Sequence, residues 1–427
     1  NWSVTPDTPL ADGVVVTATA TDEAGNTSGP VSDTVDAVAP VVTINDVTTN
    51  DTTPALTGTV DDPTATVVVT IDGNDYTATN NGDGTWTLAD DVVATLAEGS
   101  YPTSVTATDN AGNTDTDTGT VVIDTTAPTV AINDLTTNDT TPELTGTVND
   151  PNAVVVVTID GNDYTATNNG DGTWTLADNA VAALAEGSYP TSVTATDAAG
   201  NTVTNTGTVI IDTTAPTVAI NDLTTNDTTP ELTGTVNDPN TVVVVTIDGN
   251  DYTATNNGDG TWTLADNVVA TLAEGSYPTS VSATDAAGNT VTSTGTVVID
   301  TTAPTAPTVE AGNGTEITGT AEAGATVNVD VDGDGTPDFT VIADGDGNWS
   351  ITPTTPLADG VVVTATAVDE AGNVSAPASD TVDAVAPVVA SNDLTTNDAT
   401  PELTGTVDDP SAIAVVPTDR VEYTATT

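Results

Sequence analysis

No lysine, histidine, cysteine or methionine occurs in the 427 residues, and arginine occurs once, as Arg420, against 63 acidic residues. Each absence excludes a class of chemistry. A surface that grips phosphate is built from Lys and Arg, so nucleic-acid binding is excluded. The net charge of -62 works equally against docking on an anionic membrane. Without cysteine there is no disulfide framework, thiol nucleophile or Cys-bound zinc. Without histidine the commonest general acid–base and the imidazole metal ligand are missing. No apolar run approaches the ~20 residues of a membrane-spanning helix, so direct membrane insertion is not expected. With no initiator methionine and no signal peptide, the chain reads as a segment whose address signals lie outside it.

What is abundant is oxygen, from carboxylates, Asn amides, Thr hydroxyls and backbone carbonyls. Hard cations, calcium above all, prefer such donors. High net charge with an aromatic content of 3% is also a signature of disorder. An apolar fraction of 37% and Val-rich runs such as residues 154–157 argue instead for a folded chain.

Internal repetition sets the organisation. The string GNDYTATNNGDGTWTLAD begins at Gly73, Gly161 and Gly249, an interval of 88 residues, and IDTTAP ends at Pro128, Pro216 and Pro304. A shorter unit follows, punctuated by ITGT, DGDGNWS, DEAGN and DAVAP. The segment from Asn348 is a near copy of that from Asn1, so a longer period of 347 residues overlies the shorter one. The expected organisation is a partial domain at 1–37, full repeats at 38–125, 126–213 and 214–301, a shorter repeat at 302–384 and a partial domain at 385–427. Aligned on the longer period, the final segment carries Pro417 in place of Thr70 and Arg420 in place of Gly73. Proline removes a ladder donor and the turn loses its glycine, so this end reads as either a divergent domain or a sequence error.

Within 126–213 the segments PTVAIND, ELTGTV, VVVVTID, YTAT, TWTLA, YPTSVTATD and TVTNTGTVIID read as seven strands, rich in β-branched residues and separated by Gly, Asn, Asp and Pro. Trp174 and Leu176 share one face, as do Tyr189, Val193 and Ala195. No stripe of helical period is present. The expected fold is all-β, a tandem array of immunoglobulin-like β-sandwich domains forming an elongated, monomeric rod. Trp86, Trp174, Trp262 and Trp349 are expected as core anchors. Tyr101, Tyr189 and Tyr277 are placed for a tyrosine corner, each hydroxyl bonding back to the backbone.

Strand direction places the acidic residues. Asp139, Glu186 and the turn acids Asp160 and Asp163 fall at the trailing end of their repeat. Asp150, Asp171 and Asp197, with Asn201, fall at the leading end, and the linker acids Asp124, Asp212 and Asp300 lie between repeats. One junction would therefore gather Asp51 and Glu98 from one repeat, Asp124 from the linker, and Asp150 and Asp197 from the next. Asp139, Glu186, Asp212, Asp238, Asp285 and Asp300 are the equivalent positions elsewhere. Two like charges at ~4 Å repel by roughly 1–4 kcal/mol, and a calcium ion with about 6–8 oxygen ligands reverses that sign. The alternative is that these acids serve only as turn formers and solubilisers. A second candidate is DVDGDGTPD, with Asp330, Asp332, Asp334 and Asp338. Its D-x-D-x-D-G spacing matches the first half of an EF-hand loop, but strands flank it and Val341 stands where the bidentate Glu would be. It is either an acidic hairpin turn or an isolated calcium loop.

Catalytic readings fare poorly. Asp117-Thr118-Gly119 matches the D-T-G of aspartic proteases, yet sibling repeats carry Asn205 and Ser293 at that position. Paired carboxylates of glycosidase type are available by residue type, but near-identical copies offer no unique cleft. No enzyme is expected. The sequons at Asn50, Asn138 and Asn226 are weak motifs that follow from composition.

The motifs ATDNAGN, IDTTAP, TPELTGTV and DGDGNWS together resemble the tandem bacterial immunoglobulin-like repeats of very large surface adhesins, of the biofilm-associated and RTX type. The resemblance covers nearly the whole chain. It implies an extracellular location on a bacterial surface and a role as an extender, stiffened by calcium at its joints, that projects a terminal ligand-binding domain in cell adhesion and biofilm formation. It also implies that the junction acids named above are the ligands. The glycine-rich nonapeptides of the RTX type are absent from this stretch. The expected partners are calcium and neighbouring repeats of the same chain, with the adhesive target left open. A competing reading has the repeats themselves bind carbohydrate or a surface partner, which aromatics gathered on an exposed face would favour.

Overall fold

The computed structural model describes residues 1–409, 411–417 and 422–426, all-β with no helix. It divides into two compact units, Asn1–Thr214 and Ala215–Thr427. In the first unit, a short hairpin of β1 (Val15–Ala18) and β2 (Val31–Thr34) precedes a complete repeat. That repeat contains β3 (Val42–Ile44), β4 (Val47–Thr49), β5 (Leu56–Val60), β6 (Thr66–Ile71), β7 (Asn74–Asn80), β8 (Thr85–Leu88), β9 (Gly99–Thr108) and β10 (Thr114–Ile123). The strand order is β3-β5-β8-β7-β6-β9-β10-β4. β7 joins the two layers of the sandwich: it pairs with β6 over residues 74–78 and with β8 at Asn80 and Thr79.

The strands follow from period-2 alternation. β5 (LTGTV) reads buried, exposed, buried, exposed, buried, and one face of β6 carries Val67, Val69 and Ile71 inward. Trp86 is fully buried at the centre of this core, and its Nε1 donates to the Thr43 carbonyl at 2.9 Å. Gly58 is demanded by that indole: a Cβ there would lie 1.9 Å from the Thr43 oxygen and 2.7 Å from Trp86 Nε1. Trp174 and Trp262 repeat the arrangement with the carbonyls of Ala131 and Ala219. Asp72 and Gly73 both have left-handed φ, 50° and 73°, the requirement of a two-residue type I′ hairpin between β6 and β7. The tyrosine corners form as expected, Tyr101, Tyr189 and Tyr277 donating to the carbonyls of Ala97, Ala185 and Ala273 at 2.9–3.0 Å.

Each 88-residue repeat has eight strands rather than seven, because the segment after the first strand, expected as a connection, forms a short strand of its own. β3 pairs antiparallel with β5 in one layer, and β4 pairs parallel with β10 in the other. Asn45 and Asp46 make the crossing: Asn45 N donates to Thr57 O at 3.0 Å, and Asp46 Oδ1 accepts from Thr120 N at 2.7 Å. The free edge of β3 is satisfied from β10, where Asp115 and Asp117 accept from the amides of Val42 and Ile44 at 3.1 and 3.0 Å. This gives the D-T-G aspartate a structural task. In the next repeat Asn205 does the complementary job, donating to Val130 O at 3.1 Å.

The second unit begins with a repeat of the same eight-stranded topology. The shorter domain after it pairs Ile317–Thr320 with Asn348–Ile351 and packs them on a four-stranded sheet whose core includes Val327, Val329, Trp349 and Val363. In the last segment Val389–Ser391 pairs with Gly405–Val407, and Ile413–Pro417 with Glu422–Thr426. Arg420 lies outside the described residues.

Candidate metal centre

Consecutive repeats within a unit are joined by a recurring lock. Asp197 organises its own turn, Oδ1 accepting from Asn201 N and Oδ2 from Asn201 Nδ2, both at 2.8 Å, while Gly200 takes φ 92°. This aims the second Nδ2 hydrogen of Asn201 out of the repeat, where it donates to the Asp124 carbonyl at 2.8 Å. Beside it, Asn50 N donates to Ala199 O at 3.0 Å. The same lock ties Asn113 to Asp36 O at 3.1 Å. In the second unit it ties Asn373 to Asp300 O at 2.7 Å, with Asn226 N to Ala371 O at 3.0 Å. The leading-end turn and the linker therefore meet, but through an amide on a backbone carbonyl. The sequence carried the signal as a D-x-A-G-N turn recurring in every unit.

The junction carboxylates are held mainly by donors close in sequence. Glu98 Oε2 accepts the hydroxyls of Thr126 and Thr125 at 2.7 and 2.9 Å, and those bonds hold its carboxyl below the usual range. Thr214 and Thr213 do the same for Glu186. Asp124, Asp212 and Asp300 each accept the amide two residues on, from Thr126, Thr214 and Thr302, at 3.0 Å. Asp51 and Asp139 accept from Thr53 N and Thr141 N, and Asp150 and Asp238 from Asn152 N and Asn240 N, all at 2.9 Å. For Asp197 and Asp285, desolvation pushes the carboxyl up, but the amide donors of Asn201 and Asn289 outweigh it and the net shift is downward. Asp51, Glu98 and Asp124 share the trailing end of their repeat, where Leu96 N reaches Thr52 O and Asp124 N reaches Thr49 O.

One further pair stands out at this end. Asp90 is raised above the ordinary carboxylate value, chiefly by the adjoining Asp51, while Asp51 is lowered, chiefly by the Thr53 amide.

Among the described residues, the only three acidic side chains with one oxygen each within 4.8 Å of the others are Asp330, Asp332 and Asp338. They sit in the hairpin loop between Thr326–Asp330 and Phe339–Ile342. Asp330 draws the loop around itself: Oδ1 accepts from Asp332 N and Gly333 N at 3.1 and 2.7 Å, and Oδ2 from Gly335 N at 2.9 Å. Asp338 Oδ2 accepts from Val331 N at 2.9 Å. Asp334 stands outside the trio, held low first by the Thr336 hydroxyl at 2.6 Å. Three hard oxygens at this spacing, with no cation beside them, suit a calcium ion in donor type and leave room for carbonyl and water ligands.

The bacterial Ig-like domain family matches residues 41–125, 129–213 and 217–301, and the bacterial Ig domain family matches 303–384. The chain belongs to the bacterial immunoglobulin-like domain family. Among solved structures, it is similar to a tetra-tandem repeat from the extending region of a large adhesion protein, at 28% identity, covering 81% of this chain and 100% of that one with a TM-score of 0.28. It is similar also to a Ca2+-stabilised adhesin of an Antarctic bacterium that binds ice, at 26% identity, 81% and 99% coverage and a TM-score of 0.27. A third similarity is to a 1.5-MDa bacterial ice-binding adhesin, at 24% identity, 62% and 99% coverage and a TM-score of 0.25. Among curated proteins, no sequence matches this chain.

Proposed function

We propose that this chain is a non-catalytic extender segment of a large bacterial surface adhesin, outside the cell, in which repeats 38–125, 126–213, 214–301 and 302–384 hold a terminal adhesive domain away from the surface in adhesion and biofilm formation. The observation that carries this reading is the recurring lock at the joints. Asn201 on Asp124 and Asn373 on Asp300 leave no slack chain between one repeat and the next, which suits a spacer that must hold its direction. The buried Trp86, Trp174, Trp262 and Trp349 are core anchors and offer no exposed platform for carbohydrate.

Calcium belongs to the proposal in two places. In the loop of the shorter domain, Asp330, Asp332 and Asp338 would hold the ion, with Asp334 close by. At the joint after the first full repeat, Asp51, Glu98, Asp124, Asp150 and Asp197 would face it. Asp139, Glu186 and Asp212, Asp238 and Asp285, and Asp300 occupy the matching positions in their own units. Bound calcium supplies the positive charge that a chain of net charge -62 lacks. The protein's part is to fix the carboxylates by backbone and hydroxyl donors, so that little ordering remains to be done on binding.

Small-angle scattering and thermal melting, with calcium and after chelation, test this reading. Calcium is expected to raise the melting temperature and lengthen the maximum dimension. Identical curves in both conditions would remove the ion from the mechanism and leave only the amide locks. Asp330→Asn together with Asp332→Asn should abolish the calcium response of the shorter domain alone.

A further inference from the structure

In each 88-residue repeat, the strand by which the chain enters the second layer and the strand by which it leaves are hydrogen-bonded parallel neighbours. Residues 47–49 pair with 121–123, 135–137 with 209–211, and 223–225 with 297–299. Further bonds flank the ladder. In the first repeat Asp124 N donates to Thr49 O at 3.0 Å, Thr120 N to Asp46 Oδ1 at 2.7 Å and Ile44 N to Asp117 Oδ2 at 3.0 Å. The second repeats the pattern with Asp212 N on Thr137 O and Thr208 N on Asp134 Oδ1, at 3.0 and 2.8 Å.

Tension first meets the short opening strand of a repeat, held antiparallel over residues 42–44, 130–132 or 218–220; once that is drawn off, it acts at the start of one strand of the parallel ladder and at the end of the other. The two are then drawn lengthwise in opposite directions. Interstrand bonds run across the strands, so this motion loads all of them together, and none can open before the rest. The shorter domain is built differently. No parallel ladder joins its first segment to its last strand, Ala378–Thr381. The connection consists of Asp383 N on Gly312 O at 3.0 Å and Ala311 N on Asp380 Oδ2 at 2.9 Å.

We propose that the chain is a graded load-bearing element, in which the three 88-residue repeats are shear-clamped and the domain at 303–384 is the one that yields first under tension. Forced unfolding is governed by the barrier to unfolding and not by equilibrium stability, so the ranking is a property of topology. The inference goes beyond the spacer reading and does not depend on calcium. Failure of the chelation experiment would leave it standing, and the test below is run in chelator for that reason.

The test is single-molecule pulling of the full chain between its ends. One weak rupture is expected, followed by three strong ones corresponding to the three matched repeats. Thr137→Pro breaks the ladder of one repeat and should remove one strong event of the three. That substitution could unfold the repeat outright, deleting its contour length as well. Asp134→Ala is therefore the companion: it removes only the side-chain bond to Thr208 and should weaken one strong event with its length intact. Four ruptures of equal force, a weak event that comes last, or three strong events unchanged in Asp134→Ala would each overturn the assignment.

Discussion

Asn201 spends one amide hydrogen on Asp197, inside its own turn, and the other on the backbone carbonyl of Asp124, in the linker before its repeat. Asn201 is 9% exposed, whereas Asp197 and Asp124 are half-buried. Removing the amide deprives both of a donor and takes away the hydrogen bond that crosses the joint. Asn201→Ala is expected to lower the melting temperature modestly and to speed proteolysis within residues 124–128. If cleavage there were no faster than in the parent, the amide would not be what fixes the joint.

The third full repeat carries a defect that its siblings lack. Thr241 is 3% exposed and its Oγ1 is buried without a partner. Ala65 and Ala153 fill that position in the other repeats, with the same burial and with their carbonyls taken by Asn80 and Asn168. The Thr241 carbonyl is held equally by Asn256 at 3.1 Å, so only the hydroxyl is out of place. Thr241→Ala should stabilise the protein by about 1 kcal/mol, the desolvation penalty of an unpaired hydroxyl. Denaturant titration gives the sign directly, and a destabilised variant would mean the hydroxyl is satisfied in solution.

Much of the fold was legible because it is written in local rules. Alternation along ELTGTV and VVVVTID, the Asp-Gly turn and the tryptophan each specify a face or a bend from a few residues. The extra strand that follows PTVAIND, Leu135–Thr137, was not legible. It depends on Asp134 finding the amide of Thr208, 74 positions away, and no short-range pattern carries that. The junction followed the same division. Strand parity placed Asp124 and Asp197 at meeting ends, but the turn at Asp197 reveals only its internal bonds. That Asn201 would carry the crossing bond is set by the neighbouring repeat.

Acid should act on these carboxylates in two opposite senses. Glu98, Glu186, Glu274, Asp109, Asp197 and Asp285 are all held below their ordinary values. For a group lowered on folding, the stabilisation is fully present above the unfolded value and is lost as pH falls through the folded one. Repulsion across a chain of net charge -62 and at the raised Asp90 relaxes over the same descent. Melting temperature is therefore expected to rise from neutral pH toward about 5 and to fall below about 4, where the lowered groups protonate. A steady rise to strong acid would mean that general repulsion, and not the specific donors, dominates.

The Asp51–Asp90 pair gives the sharpest local test, because the siblings already contain the remedy. At the position of Asp91 they carry Asn179 and Asn267, whose Nδ2 donates to Asp178 and Asp266 at 2.8 Å. Those amides neutralise no charge but give the neighbouring carboxylate a donor. The Asp91 carboxylate adds repulsion to Asp90, although its backbone amide is a donor to it. It also holds a left-handed φ of 61°, which asparagine tolerates as well as any non-glycine residue. The bond from Thr53 Oγ1 to Asp91 Oδ1 at 3.0 Å survives the change, since Thr141 makes it to Asn179 at 3.1 Å. Asp91→Asn should therefore raise the melting temperature of the first repeat slightly at neutral pH, a gain that shrinks as Asp90 is protonated in acid. Comparing melts of the variant and the parent at neutral and acidic pH separates the two contributions. A gain that is the same at both would assign it to backbone conformation alone.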